Sequence, residues 1–287
     1  MPLNNGRFVK KHVSLRKIKK KKKELDYTLN IKGRLLDLSE PRVMGILNAT
    51  PDSFYAGSRK QTERDIADRT NEIVAQGGTF VDVGAYSTRP GAQEVSVQEE
   101  MDRLRMALSI VRHEQPDMPL SVDTFRADVA RMAVEEYGAD IINDVSEGAD
   151  ADMFRMVSRL RVPYILMSVQ KDLHDTLLAF ARKVQMLRDL GQKDIILDPG
   201  FGFGKTLDDN YRLMNELERL QVMQLPVLVG ISRKSMIYKL LETSQEQALN
   251  GTTVLNTIAL MKGASILRVH DVKEAIETIR IYDRVRN

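Results

Sequence analysis

The segment 194–206 joins a short apolar run to residues that could do chemistry. Residues 195–197 are apolar and have the length of a buried strand, which ends at Asp198 and is followed by Pro199 and by glycine at positions 200, 202 and 204. Proline and glycine stop a strand, and glycine lets the backbone approach a ligand closely. We interpret Asp198 as a carboxylate presented to a ligand. The alternative is a turn in which Asp198 caps the next helix.

The glycine spacing in this segment does not fit the common nucleotide-binding loops. Counting back from Lys205 and Thr206, a Walker A loop would need its first glycine where Pro199 stands. The dinucleotide fingerprint also fails, because the spacing is G-x-G-x-G rather than G-x-G-x-x-G. We therefore predict no nucleotide-phosphate site here.

Three polar residues at the ends of predicted strands form an acceptor-rich set. Asp123, Asn143 and Asp198 all offer hydrogen-bond acceptors, and Asn143 adds donors. A carboxylate can accept two parallel N–H bonds. The set therefore suits a flat heterocycle that carries NH and NH₂ groups.

A second set of residues is basic and suits an anion. Arg268 and His270 are two residues apart on a predicted strand, so their side chains face the same side. Arg233 and Lys234 lie on the loop after the preceding strand. Because an arginine can grip phosphate oxygens through paired N–H donors, we predict a phosphate site here. We expect the heterocycle site not to depend on Arg268 and His270.

These residues are positioned by a regular alternation of strands and helices. The predicted strands span residues 43–48, 80–83, 120–123, 141–144, 164–167, 195–198, 227–230 and 265–269. Predicted helices follow these strands at 62–76, 127–137, 151–160, 173–190, 208–223 and 272–281. A further helix begins after a cap at Ser96, with Glu99 completing the capping box, and helical segments after the strand at 227–230 extend to residue 261.

This alternation predicts the fold. Strands that alternate with helices indicate a parallel sheet, and eight such units in 287 residues predict a (β/α)₈ TIM barrel of the α/β class. The alternative is an open, doubly wound sheet. In a barrel the active site lies at the carboxyl ends of the strands. Those ends carry Asn48, Asp82, Asp123, Asn143, Asp144, Met167, Asp198, Ser232, Lys234, Arg268 and His270.

The first residues of the chain differ from the rest in charge. Ten of the 43 Lys and Arg lie in residues 1–23, with no acid among them, which leaves 33 bases against 40 acids in the remainder. We interpret residues 1–26 as a disordered basic tail. A tail that touches nucleic acid is the alternative, but no aromatic platform for stacking on bases interrupts its lysines, so we do not expect nucleic acid as a partner. Residues 27–287 form one predicted domain, which begins with a short hairpin around Gly33.

Composition excludes several classes of protein. The chain has no cysteine, so disulfides and thiolate metal sites are impossible, as suits a cytoplasmic protein. No apolar run approaches the roughly 20 residues that a membrane helix needs, and the amino terminus lacks the apolar core of a secretory signal. We therefore expect a cytoplasmic protein that does not enter a membrane.

Seven motifs follow one another along the chain. They are MGILNATPDSF at 44–54, DVGAYSTRPG at 82–91, SVDT at 121–124, IIND at 141–144, LDPGFGFGK at 197–205, SRKS at 232–235 and RVHD at 268–271. In this order they resemble the motifs of the dihydropteroate synthases, the folate-pathway transferases that sulfonamide drugs inhibit. The resemblance runs from about Arg42 to the carboxyl terminus and leaves out the tail and the hairpin.

The resemblance implies a reaction, a cofactor and an assembly. The family joins p-aminobenzoate to 6-hydroxymethyl-7,8-dihydropterin diphosphate and forms 7,8-dihydropteroate and pyrophosphate in folate biosynthesis. It requires Mg²⁺, and its late barrel helices pair in a homodimer. A pyrophosphokinase domain fused to it would not fit in 287 residues, so we expect a monofunctional enzyme.

The resemblance also implies a role for each matching residue. The pterin would be held by Asp123, Asn143, Met167, Asp198 and Lys234. The diphosphate would be held by Asn48, Arg268 and His270, with Asn48 also a ligand of the metal. The p-aminobenzoate site would consist of Thr88, Arg89, Pro90, Phe203, Lys234 and Ser235. Asp52 and Phe54 would lie on a mobile loop, and catalysis would depend on Asp123, Lys234, Arg268 and Asn48.

Two positions depart from the family pattern, and two other functions stay open on the sequence alone. Tyr86 stands where many members have glutamate, and Ser168 where many have histidine and then a longer loop. We expect the first to alter the loop near p-aminobenzoate and the second to trim the rim of the pterin pocket. One alternative is a catalytically weak or silent pterin-binding relative. The other is a methyltetrahydrofolate methyltransferase, which would not need the motifs at 50–54, 232–235 and 268–270.

Overall fold

The structure, a computed structural model, describes residues 27–49, 59–86 and 95–286. The predicted basic tail therefore lies outside the described residues. The strands are β1 Thr28–Ile31, β2 Arg34–Asp37, β3 Arg42–Asn48, β4 Phe80–Gly84, β5 Leu120–Asp123, β6 Ile141–Asp144, β7 Tyr164–Met167, β8 Ile195–Asp198, β9 Leu228–Val229 and β10 Ile266–Val269. The helices are α1 Arg59–Ala75, α2 Val97–Glu114, α3 Ala127–Tyr137, α4 Met153–Leu160, α5 Leu173–Asp189, α6 Leu207–Asn215, α7 Ser235–Tyr238, α8 Leu249–Met261 and α9 Val272–Arg286, with a 3₁₀ helix at Leu217–Met223.

Strands β3 to β10 form a closed parallel barrel, as predicted. The order β8-β7-β6-β5-β4-β3-β10-β9 is parallel throughout. A parallel bridge between Leu197 and Val227 joins the two ends of this order, and the Leu197 N–H donates to the carbonyl of Pro226 at 2.9 Å. Closure excludes the open doubly wound sheet. Among the described residues, no helix has the length and apolar character needed to cross a membrane.

Local signals set the helix ends. The Ser96 side chain accepts a hydrogen bond from the Glu99 backbone N–H at the start of α2, as predicted. The predicted helix 208–223 is wrong in one respect, because α6 ends at Asn215 and a 3₁₀ helix follows. Glu216, between them, has φ −107° and ψ 6°, outside the α-helical region, and this breaks the helix.

The hairpin of β1 and β2 closes the amino-terminal end of the barrel. Its turn places Lys32 at φ 48° and Gly33 at φ 82°, the left-handed conformation that two-residue hairpin turns require. Leu29, Ile31 and Leu38 pack in a cluster with apolar residues near the start of the barrel strands, which are Met44, Phe80, Ile141, Ile165, Ile196, Leu228 and Ile266. The hairpin therefore covers the end of the barrel opposite to the predicted site.

We expect Leu29→Ala to lower the free energy of unfolding by about 3 kcal/mol, because a fully buried leucine is truncated under the barrel. Urea denaturation measures this loss. Leu35→Ala is the matched control on the same hairpin, since Leu35 is 74% exposed, and its effect should stay below about 0.5 kcal/mol. Equal losses for the two variants would show that the hairpin does not close the barrel.

Candidate functional site

Arg268 lies at the centre of a network at the carboxyl end of the barrel. Its Nε donates to Oδ2 of Asp82 at 2.6 Å, and its Nη2 donates to Oδ2 of Asp123 at 2.7 Å. The arginine is on β10 and the two acids are on β4 and β5, so its side chain reaches across the barrel interior. Charged hydrogen bonds of this length are strong and hold all three groups in fixed positions.

Asp82 supports the network from deeper inside the barrel. It is fully buried, its Oδ1 accepts from Ser121 Oγ at 2.5 Å, and its Oδ2 accepts from Asn143 Nδ2 at 3.1 Å as well as from Arg268. Both carboxylate oxygens are thus engaged within the protein. Asp82 orients Asn143 and Arg268, a role that the sequence analysis did not assign.

Asn143 presents an acceptor for which the described part of the chain supplies no donor. Its amide nitrogen is held by Asp82, and its Oδ1 is buried without a hydrogen-bond partner among the described residues. A buried acceptor without a donor costs free energy, about 1–3 kcal/mol. A ligand N–H would satisfy it.

Asp198 is presented as a carboxylate and is not a helix cap. Its Oδ1 accepts from the Gly200 backbone N–H at 2.8 Å. Helix α6 is capped instead by Thr206, which forms a capping box with Asp209. Burial raises the pKa of Asp198, although Lys234 and the Gly200 N–H lower it.

Lys234 connects Asp198 with the phenylalanines of the glycine-rich loop. Its Nζ donates to the carbonyl of Phe201 and lies 4.6 Å from the centroid of the Phe203 ring. Burial lowers the pKa of Lys234 to about 8, against the opposing effect of Asp198. Gly202, at φ 84°, leaves room for the lysine, because a Cβ there would lie 3.1 Å from Lys234 Cδ.

His270 is held neutral beside the arginine. Its Nδ1 lies 3.0 Å from Ser232 Oγ, and its backbone N–H donates to the same hydroxyl at 3.1 Å. Burial lowers the pKa of His270 to about 4, with Arg268 adding to the effect. At neutral pH the ring therefore carries no charge and can donate one hydrogen bond.

Arg233 does not belong to the anion site that the sequence predicted. Its guanidinium pairs with Asp271 through two bonds, Nε to Oδ2 at 2.9 Å and Nη2 to Oδ1 at 2.8 Å, and its Nη1 donates to the carbonyls of Gln245 and Glu246. These bonds use its donors to hold the loop after β9 against β10. Arg233 is a structural clamp.

The geometry argues against the predicted independence of the two halves of the site. Arg268 was expected to serve the anion half alone, yet it donates to Asp123 and shares Asp82 with Asn143. The reason is that strand-end residues of a closed barrel converge on one axis, whatever their distance along the chain. The acceptor set and the basic set therefore form one network.

The remaining predicted residues are placed in part. Asn48 ends β3 and is half-buried, and Met167 ends β7 and is buried. Phe203, whose ring lies near the Lys234 ammonium, and Ser235, the next residue after Lys234 in the chain, are both half-buried. Thr88, Arg89, Pro90, Asp52 and Phe54 lie outside the described residues.

The two departures from the family pattern both have partners. The Tyr86 ring packs edge-on against Phe125 at 5.1 Å between centroids, and the Arg126 guanidinium lies 5.3 Å from its centroid. Ser168 Oγ donates to Glu147 Oε1 at 3.2 Å, and Gln170 Nε2 donates to Glu147 Oε2 at 3.0 Å. Glu147 therefore anchors the short loop after β7.

Similarity to known proteins agrees with this geometry. The family model described as "pterin binding enzyme" matches residues 44–270. The dihydropteroate synthase of Escherichia coli K12 is 38% identical over 266 residues, 88% of this chain and 94% of that protein. A Xanthomonas albilineans dihydropteroate synthase with 4-aminobenzoic acid superposes with a TM-score of 0.86 at 35% identity, covering 91% and 98% of the two chains. The same organism's enzyme in complex with 7,8-dihydropteroate superposes with a TM-score of 0.82 at 33% identity, covering 91% of this chain and 99% of that chain.

Proposed function

The chain belongs to the pterin-binding enzyme family, among its dihydropteroate synthases, and we propose that the network around Arg268 condenses 6-hydroxymethyl-7,8-dihydropterin diphosphate with p-aminobenzoate. The products are 7,8-dihydropteroate and pyrophosphate. The observation that carries this proposal is the free acceptor of Asn143, which lies in one network with Asp123 and Arg268. Relatives with 4-aminobenzoic acid or 7,8-dihydropteroate bound support it.

The pterin binds to the acceptors of this network. Asp123 and Asp198 accept its N–H and NH₂ hydrogens, because a carboxylate can take two parallel bonds. Asn143 Oδ1 accepts a further ring N–H and so gains the donor that residues 27–49, 59–86 and 95–286 do not supply. Lys234 donates to a ring acceptor, and Met167 packs along the pocket.

The diphosphate binds beside Arg268, His270 and Asn48. Neutral His270 donates one hydrogen bond, and Arg268 supplies positive charge. The residues present fit a magnesium ion, because Asn48 offers one hard amide oxygen and Mg²⁺ commonly takes its other ligands from phosphate oxygens and water. Among the described residues, no group of three or more His, Asp or Glu could hold a metal ion without the substrate. Bound Mg²⁺ neutralises charge on the diphosphate.

The reaction is a substitution at the pterin methylene. The C–O bond to the diphosphate breaks, and pyrophosphate leaves with the bonding electron pair while Arg268 and His270 stabilise its charge. Asp123 stabilises the cationic methylene, whose charge spreads into the ring. The aniline nitrogen then forms the new C–N bond and releases its proton to the departing pyrophosphate. p-Aminobenzoate is held by Thr88, Arg89, Pro90, Phe203, Lys234 and Ser235.

Exclusion of water protects the cation until the aniline nitrogen attacks. We assign this role to the loop that carries Asp52 and Phe54, which closes over both substrates. A water molecule in the site would trap the methylene as the alcohol. Release of pyrophosphate without p-aminobenzoate would be the sign of such trapping.

Pyrophosphate release measured with and without p-aminobenzoate tests the proposal. Release that depends on p-aminobenzoate and is accompanied by 7,8-dihydropteroate is the expected result. A protein that binds the pterin diphosphate in calorimetry but releases no pyrophosphate would instead be a silent pterin-binding relative.

We expect kcat/KM for the pterin diphosphate to follow a bell-shaped pH profile with a maximum between about pH 7 and 8. Burial raises the pKa of Asp123 to about 7, although Arg268 lowers it, so the carboxylate that binds the pterin loses its charge below that pH. Lys234, whose pKa burial lowers to about 8, loses its proton above that pH. Each limb should approach a tenfold change per pH unit.

Lys234→Arg tests the alkaline limb, because an arginine does not titrate in this range. The limb should disappear in this variant while the acidic limb stays. A decline above pH 8 that persists in Lys234→Arg would show that Lys234 does not cause the alkaline limb. A flat profile from pH 6 to 9 in the native enzyme would contradict both assignments.

We also propose a homodimer formed by α8 and α9, in a cytoplasmic protein. Met261 and Val254 of α8 and Ile281 and Val285 of α9 are 50–82% exposed, although all are apolar. A groove of about 540 Å³ lies between these helices and the hairpin. Exposed apolar surface of this kind favours association with a second copy.

Light scattering at micromolar concentration should give twice the mass of the chain. The variant Met261→Asp/Ile281→Asp should give the monomer mass, because each change places a charge in the apolar face. A monomer mass for the native chain would refute the dimer.

A further inference from the structure

Lys205 lies beside the candidate site and has no role in the binding or chemistry proposed above. It is half-buried, and its Nζ faces three backbone carbonyls, those of Gly200 at 2.9 Å, Ser168 at 3.4 Å and Phe203 at 3.4 Å. A lysine ammonium has three donors and no acceptor, so it matches three converging carbonyl oxygens.

The turn that Lys205 holds is bonded to the site. The Gly200 N–H donates to Asp198, and the carbonyl of Phe201 accepts from Lys234. The turn is closed by the Phe203 N–H, which donates to the Gly200 carbonyl at 3.2 Å. A shift of this turn would therefore move two groups assigned to the pterin, together with the Phe203 ring.

The turn also lies hard against the end of β7. A Cβ on Gly200, which has φ 72°, would stand 2.0 Å from the Ser168 carbonyl oxygen. The Ser168 N–H donates to the Asp198 carbonyl at 2.8 Å, so the two strand ends are joined at the same point. Such close approach brings carbonyl oxygens of like partial charge together, and the ammonium of Lys205 offsets their repulsion.

We propose that Lys205 is a positioning residue, which fixes the Gly200–Phe203 turn against the end of β7 and thereby sets the places of Asp198, Lys234 and Phe203 around the two substrates. The proposal rests on the function given above for these three residues. Glu147, which anchors the loop after β7 through Ser168 and Gln170, holds the other side of the same junction.

Kinetics of Lys205→Met test this role, because methionine keeps the apolar stem and removes the three donors. We expect the KM for p-aminobenzoate and the Kd for the pterin alcohol each to rise about tenfold, and kcat to change less than about threefold. Lys205→Arg keeps a charged donor near the carbonyls and should restore both constants to within about threefold of the native values.

Lys262→Met is the matched control. Lys262 is also half-buried, and its Nζ donates to the carbonyl of Asn215 at 2.7 Å and to Glu218 Oε2 at 2.6 Å, at a junction of α6, the 3₁₀ helix and α8. Its loss should lower Tm and leave KM and Kd unchanged. If Lys205→Met behaves in the same way, Lys205 only stabilises the fold and the proposal is overturned.

Amide hydrogen exchange without substrates separates this proposal from the proposed function. We expect the Gly202 and Phe203 amides to exchange at least about tenfold faster in Lys205→Met than in the native protein or in Lys262→Met. If the native protein makes no 7,8-dihydropteroate but the exchange changes as expected, the function fails and the positioning stands. Unchanged exchange in an active enzyme overturns the positioning alone. Lys205→Gln, which keeps donors but no charge, serves if the methionine variant does not fold.

Discussion

Replacement of Asp123 with alanine should lower kcat/KM by about 1,000-fold or more while the protein stays folded. Two effects combine, since the pterin loses a paired acceptor and the cationic methylene loses a nearby negative charge. Together they correspond to roughly 4 kcal/mol of transition-state stabilisation. Arg268 keeps its bond to Asp82 in this variant, so the network does not collapse.

Steady-state kinetics, pterin alcohol calorimetry and circular dichroism measure this result. Asp123→Asn keeps the shape and the acceptor for Arg268 but loses the charge, so we expect an intermediate loss of about 100-fold. Asp128→Ala is the control, because Asp128 is an exposed acid on α3 that pairs with its helix neighbour Arg131, and its kinetics should match the native enzyme. A kcat/KM of Asp123→Ala near the native value would remove Asp123 from the site.

Stability should change in the opposite direction to activity. The folded-state pKa of Asp123 lies at about 7, above the ordinary value of an aspartate, so ionisation of this group opposes folding. Its contribution to stability is therefore fully present below about pH 4 and is lost as pH rises through about 7. At pH 8 Asp123→Asn should unfold at a higher temperature than the native protein, as is common where a buried charge is kept for function.

The architecture was predictable because its signals are local. Residues 141–144 and 164–167 form the strands predicted from their apolar runs, and 127–137 forms the predicted helix. The turn at Gly33 needs only a residue that accepts positive φ. The question of whether Asp198 caps a helix also had a local answer, since Thr206 and Asp209 carry the capping-box spacing.

The different roles of Asp82 and Asp123 were harder to predict from the sequence. Asp82 and Asp123 both lie near strand ends, yet Asp82 pairs in register with Ser121 while Asp123 pairs with Gly84. Asp82 is therefore two residues deeper in the barrel, where burial and three donors engage it within the protein. The distance of Asp82 from the end of β4 could have indicated this role, but only if the last residue of the strand had been known.

Long-range pairing explains the error over Arg233. The sequence alone does not distinguish Arg233, which follows β9, from Arg268, which lies on β10. Asp271, 38 residues from Arg233, pairs with Arg233, while the buried Asp82 and the half-buried Asp123 hold Arg268 in the site. Only the closed barrel decides which acid meets which arginine.

Because of this network, we expect Arg268→Lys to affect both the pterin part and the diphosphate part of the pterin diphosphate. We expect kcat to fall by roughly 10- to 1,000-fold, because the charge on the leaving diphosphate grows as the C–O bond breaks and a lysine cannot reproduce the paired N–H donors. We also expect the pterin alcohol, which carries no diphosphate, to bind about tenfold more weakly. A single ammonium cannot bridge Asp82 and Asp123 as the Nε and Nη2 atoms do, so Asp123 loses its orientation.

His270→Gln separates the anion from the pterin. Glutamine still offers one donor but lacks the ring that contacts Ser232, so the diphosphate should bind more weakly while the pterin alcohol binds as in the native enzyme. Arg112→Lys is the control for loss of a half-buried arginine. Arg112 donates to Asp140 at 2.8 Å and to the carbonyl of Met118 at 2.8 Å, far from the site at the hairpin end of the barrel, and its loss should lower Tm without changing kinetics.

Calorimetry with the pterin alcohol decides the role of Arg268. If Arg268→Lys leaves the affinity for the alcohol unchanged and lowers only the affinity for the diphosphate, Arg268 serves the anion alone and its bonds to Asp82 and Asp123 do not orient the pterin site. If both affinities fall together and kcat falls further than either, the arginine orients the acids in the ground state. It then also stabilises the leaving group in the transition state, where its charge is worth most.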